Sequence, residues 1–186
     1  GINFVMGDFS QNGIISNLHD FGTKTTADIE KELVKFSKER KMELILPSLY
    51  SELKGDALPN IVKQISETKY LNHIIVGLDK ASKAEAVKAW KFFKKLNTPF
   101  TILWNDGPRL KKLHEELKKK DLAPSEMGKG RNVWYCLGMC IARDEARSVA
   151  LHDCDIKTYD RRMLAKLFYP VAVSYTHLRA HETVSH

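Results

Sequence analysis

The chain has 186 residues, 43% hydrophobic and 28% charged, with a net charge of +7, the profile of one soluble globular domain able to bury a core. No apolar run approaches the ~20 residues of a membrane-spanning helix, and the N-terminus lacks the basic-then-apolar pattern of a signal peptide. Cys136, Cys140 and Cys154 form neither a disulfide framework nor a Cys-x-x-Cys zinc pair, which points to core thiols and a reducing, cytoplasmic setting.

Residues 1–25 read as an irregular N-terminal arm, with Met6 as the expected natural start and Gly13 and Gly22 as breakers. Thr26 is the expected N-cap of a helix over residues 26–40, with Asp28 and Glu30 in its first turn and Ile29, Leu33, Val34 and Phe36 inward. Residues 43–47 form a nearly continuous apolar run ending at Pro47, as in a buried parallel strand, and a loop follows over residues 48–52. A helix over residues 57–68 places Leu58, Ile61, Val62 and Ile65 inward. Residues 73–79 are a second strand that ends in Asp79, and Ser82 caps a helix to about residue 96. Residues 100–104 are a third strand, and Pro108 opens a helix to about residue 120. A helix over residues 132–144 is expected to bury Val133, Leu137 and Ile141. The apolar run Ser148-Val149-Ala150-Leu151 is a fourth strand, and the last helix is expected over residues 160–168.

Beyond Ala172 the apolar period stops. Val173-Ser174-Tyr175-Thr176-His177-Leu178-Arg179-Ala180-His181-Glu182-Thr183 corresponds, codon by codon, to one reading frame of a transposase-type sequencing-library adapter. Residues 173–186 are therefore set apart as a non-native tail. The expectation is a C-terminally truncated domain over residues 26–172.

Strands alternating with helices predict an α/β fold, a mostly parallel Rossmann-like sheet flanked by helices. Such sheets bind ligands outside the carboxyl ends of their strands. That is where Pro47 to Glu52, Asp79-Lys80, Asn105-Asp106 and Asp153 to Asp155 fall. No Gly-x-Gly-x-x-Gly follows the first of these strands and no Gly-x-x-x-x-Gly-Lys-Ser/Thr is present, so neither a dinucleotide fingerprint nor a P-loop applies.

Two motifs carry chemistry. In His152-Asp153-Cys154-Asp155, strand alternation sends both aspartates to one side and Cys154 to the other. Two adjacent carboxylates at a strand end suit Mg²⁺ or Mn²⁺, which share oxygen ligands with a diphosphate; a solvated turn with Asp160 capping the next helix is the plainer alternative. In Gly128-Lys129-Gly130, two glycines let backbone amides approach a phosphate, a lysine adds positive charge, and a helix begins just beyond. A flexible turn fits the same residues.

Leu46-Pro47-Ser48-Leu49, then Gly77-Leu78-Asp79, then Gly128-Lys129-Gly130, then Asp153-Cys154-Asp155, resembles in order and placement the GT-A nucleotide-sugar glycosyltransferases. Within them it looks most like the retaining glucosyl-3-phosphoglycerate synthase group. The resemblance implies a nucleotide-sugar-binding half. Pro47, Ser48 and Leu49 would line the uridine pocket, with Glu52 beside them, and Asp79 would contact the nucleotide. Lys129 would bind the diphosphate. Asp153 would meet ribose or metal-bound water, with Cys154 between, and Asp155 would hold the Mg²⁺ or Mn²⁺.

The implied partners are UDP-glucose or GDP-glucose and a 3-phosphoglycerate-like acceptor, with no nucleic acid and no membrane; a homodimer is compatible. Tyr50-Ser51-Glu52 departs from the family's Asn-Glu-Glu, and Lys80 stands where a serine is usual, which bears on the choice of base. The acceptor half and a further metal-ligand histidine normally lie downstream, so the expectation is binding without turnover. No nucleophile can be named. A nucleotidyltransferase, or a basic nucleic-acid-binding domain, are the competing readings.

Overall fold

The computed structural model describes the backbone of residues 2–7 and 24–184, and the side chains of these except Met6, Gly7 and residues 175–184. Five parallel strands form one sheet in the order β1-β5-β2-β3-β4. They are β1 (Asn3–Gly7), β2 (Met42–Leu49), β3 (His73–Asp79), β4 (Phe100–Trp104) and β5 (Ser148–His152). The helices are α1 (Thr26–Glu39), α2 (Ala57–Ser66), α3 (Lys83–Phe93), α4 (Pro108–Lys119), α5 (Lys129–Arg143) and α6 (Arg161–Val184).

Strands β2 and β3 read as unbroken apolar runs because both faces are covered. Period-two alternation persists beneath that appearance. Leu44 and Leu46 with Ile74, Val76 and Leu78 pack into the core made with α1, α2, α3 and α6. Ile45 and Ile75 pack on the other face with Tyr135, Cys136 and Cys140 of α5, bordered by Leu110 and Leu117 of α4.

The chain steps outward through β2, β3 and β4, then returns over the opposite face through α4 and α5. It sets β5 between β1 and β2. Strand order reverses at the β2–β5 boundary, so the crevice at their carboxyl ends is the ligand position of an open α/β sheet. Pairing between the two strands stops at Ile45 and Leu151, while β2 continues beside β3 to Leu49 and Asp79. The unpaired continuation opens that crevice.

Several expectations are corrected. The irregular reading of residues 1–25 fails at Asn3–Gly7, an edge strand that pairs along β5 and begins with Asn3 N–H donating to Arg147 O at 2.9 Å; Phe4 and Val5 are strand formers that need only one partner strand. Residues 8–23 of that arm lie outside the described residues. The N-cap of α1 is Thr25 rather than Thr26, its hydroxyl accepting from Asp28 N–H at 3.2 Å.

Helix α5 begins three residues earlier than expected, at Lys129, so Gly130 is helical. Its sheet-facing residues are Asn132, Tyr135, Cys136 and Cys140, while Ile141 is exposed. Asn132, Cys136 and Cys140, the smaller of these, bring the helix close to the sheet, with Asn132 and Cys136 packed against Gly77. Helix α6, expected to end at residue 168, runs to Val184 through Pro170. Proline removes one backbone bond there, and no glycine or further proline follows up to Val184.

Candidate functional site

A pocket of about 290 Å³ opens at the carboxyl ends of β2, β3 and β5. The nine residues given a role from the sequence border it: Pro47, Ser48, Leu49, Glu52, Asp79, Lys129, Asp153, Cys154 and Asp155. Asn105 and Asp106, expected at the same end, do not line it: Asn105 is buried and Asp106 Oδ2 accepts from Ala81 N–H at 2.9 Å. Lys80, Gly128 and Asn132 complete the lining.

Strand β2 delivers Pro47, Ser48 and Leu49, and a 3-10 turn over Tyr50–Lys54 brings Glu52 back over the strand end. Glu52 Oε1 accepts from Leu49 N–H at 3.0 Å. Burial pushes the Glu52 carboxyl above its usual range; Asp155 and Asp153 push it further, and the Leu49 N–H and Lys129 oppose the rise. Three carboxylates and one ammonium thus share a single electrostatic field.

Asp79 ends β3 and is only 4% exposed. Its Oδ1 accepts from Lys80 N–H at 3.0 Å and faces Arg131 Nη2 at 3.9 Å. The first contact helps hold Lys80 in the left-handed region, at φ 54°, a conformation with a steric cost for a residue with a Cβ.

Helix α5 presents its N-terminus at the pocket. Gly128, at φ 88°, makes the turn into the helix that a Cβ would strain. The first amides of a helix have no intrahelical acceptor and carry the positive end of its dipole, an arrangement suited to anions. The helix is seated on β3 by Asn132, whose Nδ2 donates to Gly77 O at 2.9 Å. Gly77 permits that seat: a Cβ there would stand 1.9 Å from Asn132 Oδ1 and 2.6 Å from Cys136 Sγ.

Strand β5 ends at His152, before the Asp-Cys-Asp turn, so strand alternation does not extend to these three residues and all three line the pocket. Asp153 is partly exposed, Asp155 is exposed, and Cys154 is buried, its thiol pushed well above the ordinary value by burial and then by Glu52, Asp153 and Asp155. Lys129 Nζ forms an ion pair with Asp153 Oδ1 across the pocket. Behind the turn, His152 is fully buried, and burial lowers its pKa to about 4.

Among the described residues no group of three or more His, Cys, Asp or Glu side chains could enclose a metal by itself. Asp153 and Asp155 nonetheless fit a Mg²⁺ or Mn²⁺ of the kind that takes one or two protein carboxylates and completes its shell with water and substrate phosphate. Glu52, whose carboxyl is raised first by burial and then by Asp155 and Asp153, stands at the same end of the pocket.

No family model matches the chain. Over 166 residues it is 43% identical to the glucosyl-3-phosphoglycerate synthase of Persephonella marina, covering 89% of this chain and 41% of that protein. Against the synthase of Methanococcoides burtonii the identity is 34% over 165 residues, 88% of this chain and 40% of that one. The chain is a homologue of the glucosyl-3-phosphoglycerate synthases. It spans about two fifths of the length of these relatives. A mycobacterial protein of known crystal structure overlays on 82% of this chain and 42% of its own at a TM-score of 0.50 and 16% identity, a likeness of fold. The glucosyl-3-phosphoglycerate synthase from Mycobacterium tuberculosis, solved with Mn²⁺, UDP and glucosyl-3-phosphoglycerate, overlays at a TM-score of only 0.43 and 15% identity, too loose to fix residue correspondences.

Asn132 and Arg131 were missed in the sequence of this homologue. Asn132, Cys136 and Cys140 recur every fourth residue, a stripe that could have marked the sheet-facing side of α5. Arg131 carried no such signal, since its partner Asp79 lies 52 residues away in sequence.

Proposed function

We propose that this chain binds the nucleotide diphosphate of an activated sugar for a metal-dependent, retaining transfer of glucose to a 3-phosphoglycerate-like acceptor. The observation that carries the reading is the convergence of Asp153, Asp155, Glu52 and Lys129 on one pocket at the point of strand reversal. Homology to the synthases supports the choice of sugar and acceptor. UDP-glucose and GDP-glucose are both retained as donors, because Lys80 occupies the position at the end of β3 where the base is read.

Asp155 and Asp153 would hold the Mg²⁺ or Mn²⁺, which when bound neutralises charge growing on the departing diphosphate. Lys129 serves the same charge from the other side of the pocket. Its ion pair with Asp153 keeps the ammonium within the pocket before substrate arrives, and the diphosphate then offers it more negative charge than one carboxylate. Pro47, Ser48 and Leu49 provide an apolar and backbone wall for the base. The N-terminus of α5 adds a fixed positive dipole that needs no reorganisation.

Calorimetry with UDP and with GDP, each with and without Mn²⁺, tests the reading. Binding should require the metal, and Asp155→Asn should abolish it without lowering the melting temperature, because a neutral amide cannot balance a divalent cation. Metal-independent binding, or an unchanged Asp155→Asn variant, would remove the metal role. Release of pyrophosphate instead of a nucleoside diphosphate from a sugar donor would favour a nucleotidyltransferase.

A further inference from the structure

His152 ends β5 directly before the Asp-Cys-Asp turn, and its ring is 0% exposed. Nδ1 lies 2.9 Å from the carbonyl oxygen of Asp153, and Nε2 lies 3.0 Å from the hydroxyl of Tyr159. A carbonyl oxygen can only accept, so Nδ1 carries a hydrogen and donates it. A charged imidazolium in so dry a place is disfavoured. Nε2 is therefore bare, and the Tyr159 hydroxyl donates to it. The hydrogen-bond geometry selects one tautomer of one ring.

Tyr159 is itself anchored. It is buried at 3% exposure, its ring lies 4.8 Å from the imidazole, and its backbone carbonyl accepts from Asn60 Nδ2 of α2 at 2.9 Å. A line of contacts thus runs from α2 through Tyr159 and His152 to the peptide that joins Asp153 to Cys154. The next carboxylate along the backbone is Asp155. No charged side chain is needed in this line, so the positioning adds nothing to the negative charge of the pocket.

We infer that His152 is a positioning residue of the metal–diphosphate site: its Nδ1–H holds the Asp153 carbonyl, orients the Asp153–Cys154 peptide and so aims the Asp155 carboxylate. The inference rests on the function proposed above. Partners behind a metal ligand fix its direction, and their loss costs about 10- to 100-fold in metal affinity.

The test combines two readouts on the whole chain. Nitrogen-15 spectra of histidine-labelled protein, with the His152 signals assigned by their loss in His152→Asn, should show a protonated Nδ1 and a bare Nε2. Mn²⁺ affinity is then measured by calorimetry at saturating UDP for three variants. In His152→Asn the amide nitrogen takes the place of Nδ1, so affinity should stay within about threefold of the parent. His152→Gln places its nitrogen near Nε2, and His152→Phe has no donor, so both should lose about 10- to 100-fold. A purely structural histidine would instead make affinity follow melting temperature across the three. A protonated Nε2, or equal affinity of the Asn and Gln variants, overturns the inference; the Asn–Gln comparison decides even if the Phe variant does not fold. If the parent binds no Mn²⁺ in the presence of UDP, the proposed function fails and this inference with it, while the tautomer shows that the ring geometry was sound.

Discussion

Gly77→Ala probes the seat of α5 on the sheet. The added Cβ would lie 1.9 Å from Asn132 Oδ1 and 2.6 Å from Cys136 Sγ, both far inside contact distance. Either the helix moves outward or Asn132 rotates away and loses its 2.9 Å bond to Gly77 O. Overpacking of this kind costs about 1–3 kcal/mol, and the lost hydrogen bond about 0.5–1.5 kcal/mol. The expected loss is about 2–4 kcal/mol, or about 4–16 °C in melting temperature for a domain of this size.

Lys129 is the first residue of the same helix, so UDP binding should weaken together with stability. Urea unfolding and calorimetry give the two quantities. The clash with Asn132 can be isolated: in an Asn132→Ala background, Gly77→Ala should cost less than in the parent, because contacting residues couple. A Gly77→Ala protein as stable as the parent, or a cost that does not change in the Asn132→Ala background, would refute the close-approach reasoning.

Lys129→Ala should weaken UDP by roughly 10- to 150-fold, the worth of a charge-assisted contact, and uridine hardly at all; equal losses for the two ligands place the lysine away from the phosphates. Burial first, and Arg143 second, lower the pKa of His73 from its ordinary 6.5. As pH falls through 6.5 the unfolded chain takes up that proton before the native one, so the contribution of His73 to stability is complete above 6.5 and is lost toward the lower native value. Urea midpoints of His73→Gln should therefore depend less on pH between 7.5 and 5.5 than those of the parent, and a steeper dependence contradicts the shift. Shortening α6 after Ser174 retains Leu164, Ala165, Leu167, Phe168, Tyr169 and Ala172, its core residues among those described, and should move the melting temperature by no more than about 2 °C; a larger drop means that later residues pack.

Four of the five strands and the site motifs were legible in the sequence because both rest on local chemistry. His73–Asp79 and Phe100–Trp104 carry β-branched and aromatic runs that no helix period explains, and both strands have the expected bounds. Ser82 and Pro108 mark helix starts through their own side chains. The strand-end residues of an α/β sheet converge by topology, which brought Pro47 to Leu49, Glu52, Asp79 and Asp153 to Asp155 to one pocket, although Asn105 and Asp106, assigned by the same rule, do not line it; Lys129 was added through the family resemblance.

What the sequence by itself determined is thus the alternation of elements and the side of the sheet on which chemistry gathers. Tertiary structure alone decided the rest. The edge strand Asn3–Gly7 exists through pairing with Ser148–His152, a partner far along the chain. The sheet-facing side of α5 was decided by Gly77, whose missing Cβ admits Asn132 beside Cys136, while Val133 and Leu137 are only partly buried at the edge of that core and Ile141 is exposed. The contacts of Lys129 with Asp153, Arg131 with Asp79, and His152 with Tyr159 depend on distance and direction between elements. Helical and strand periodicity encode which residues face inward, but hydrogen bonds and ion pairs depend on separations of a few ångströms that only the packed fold sets.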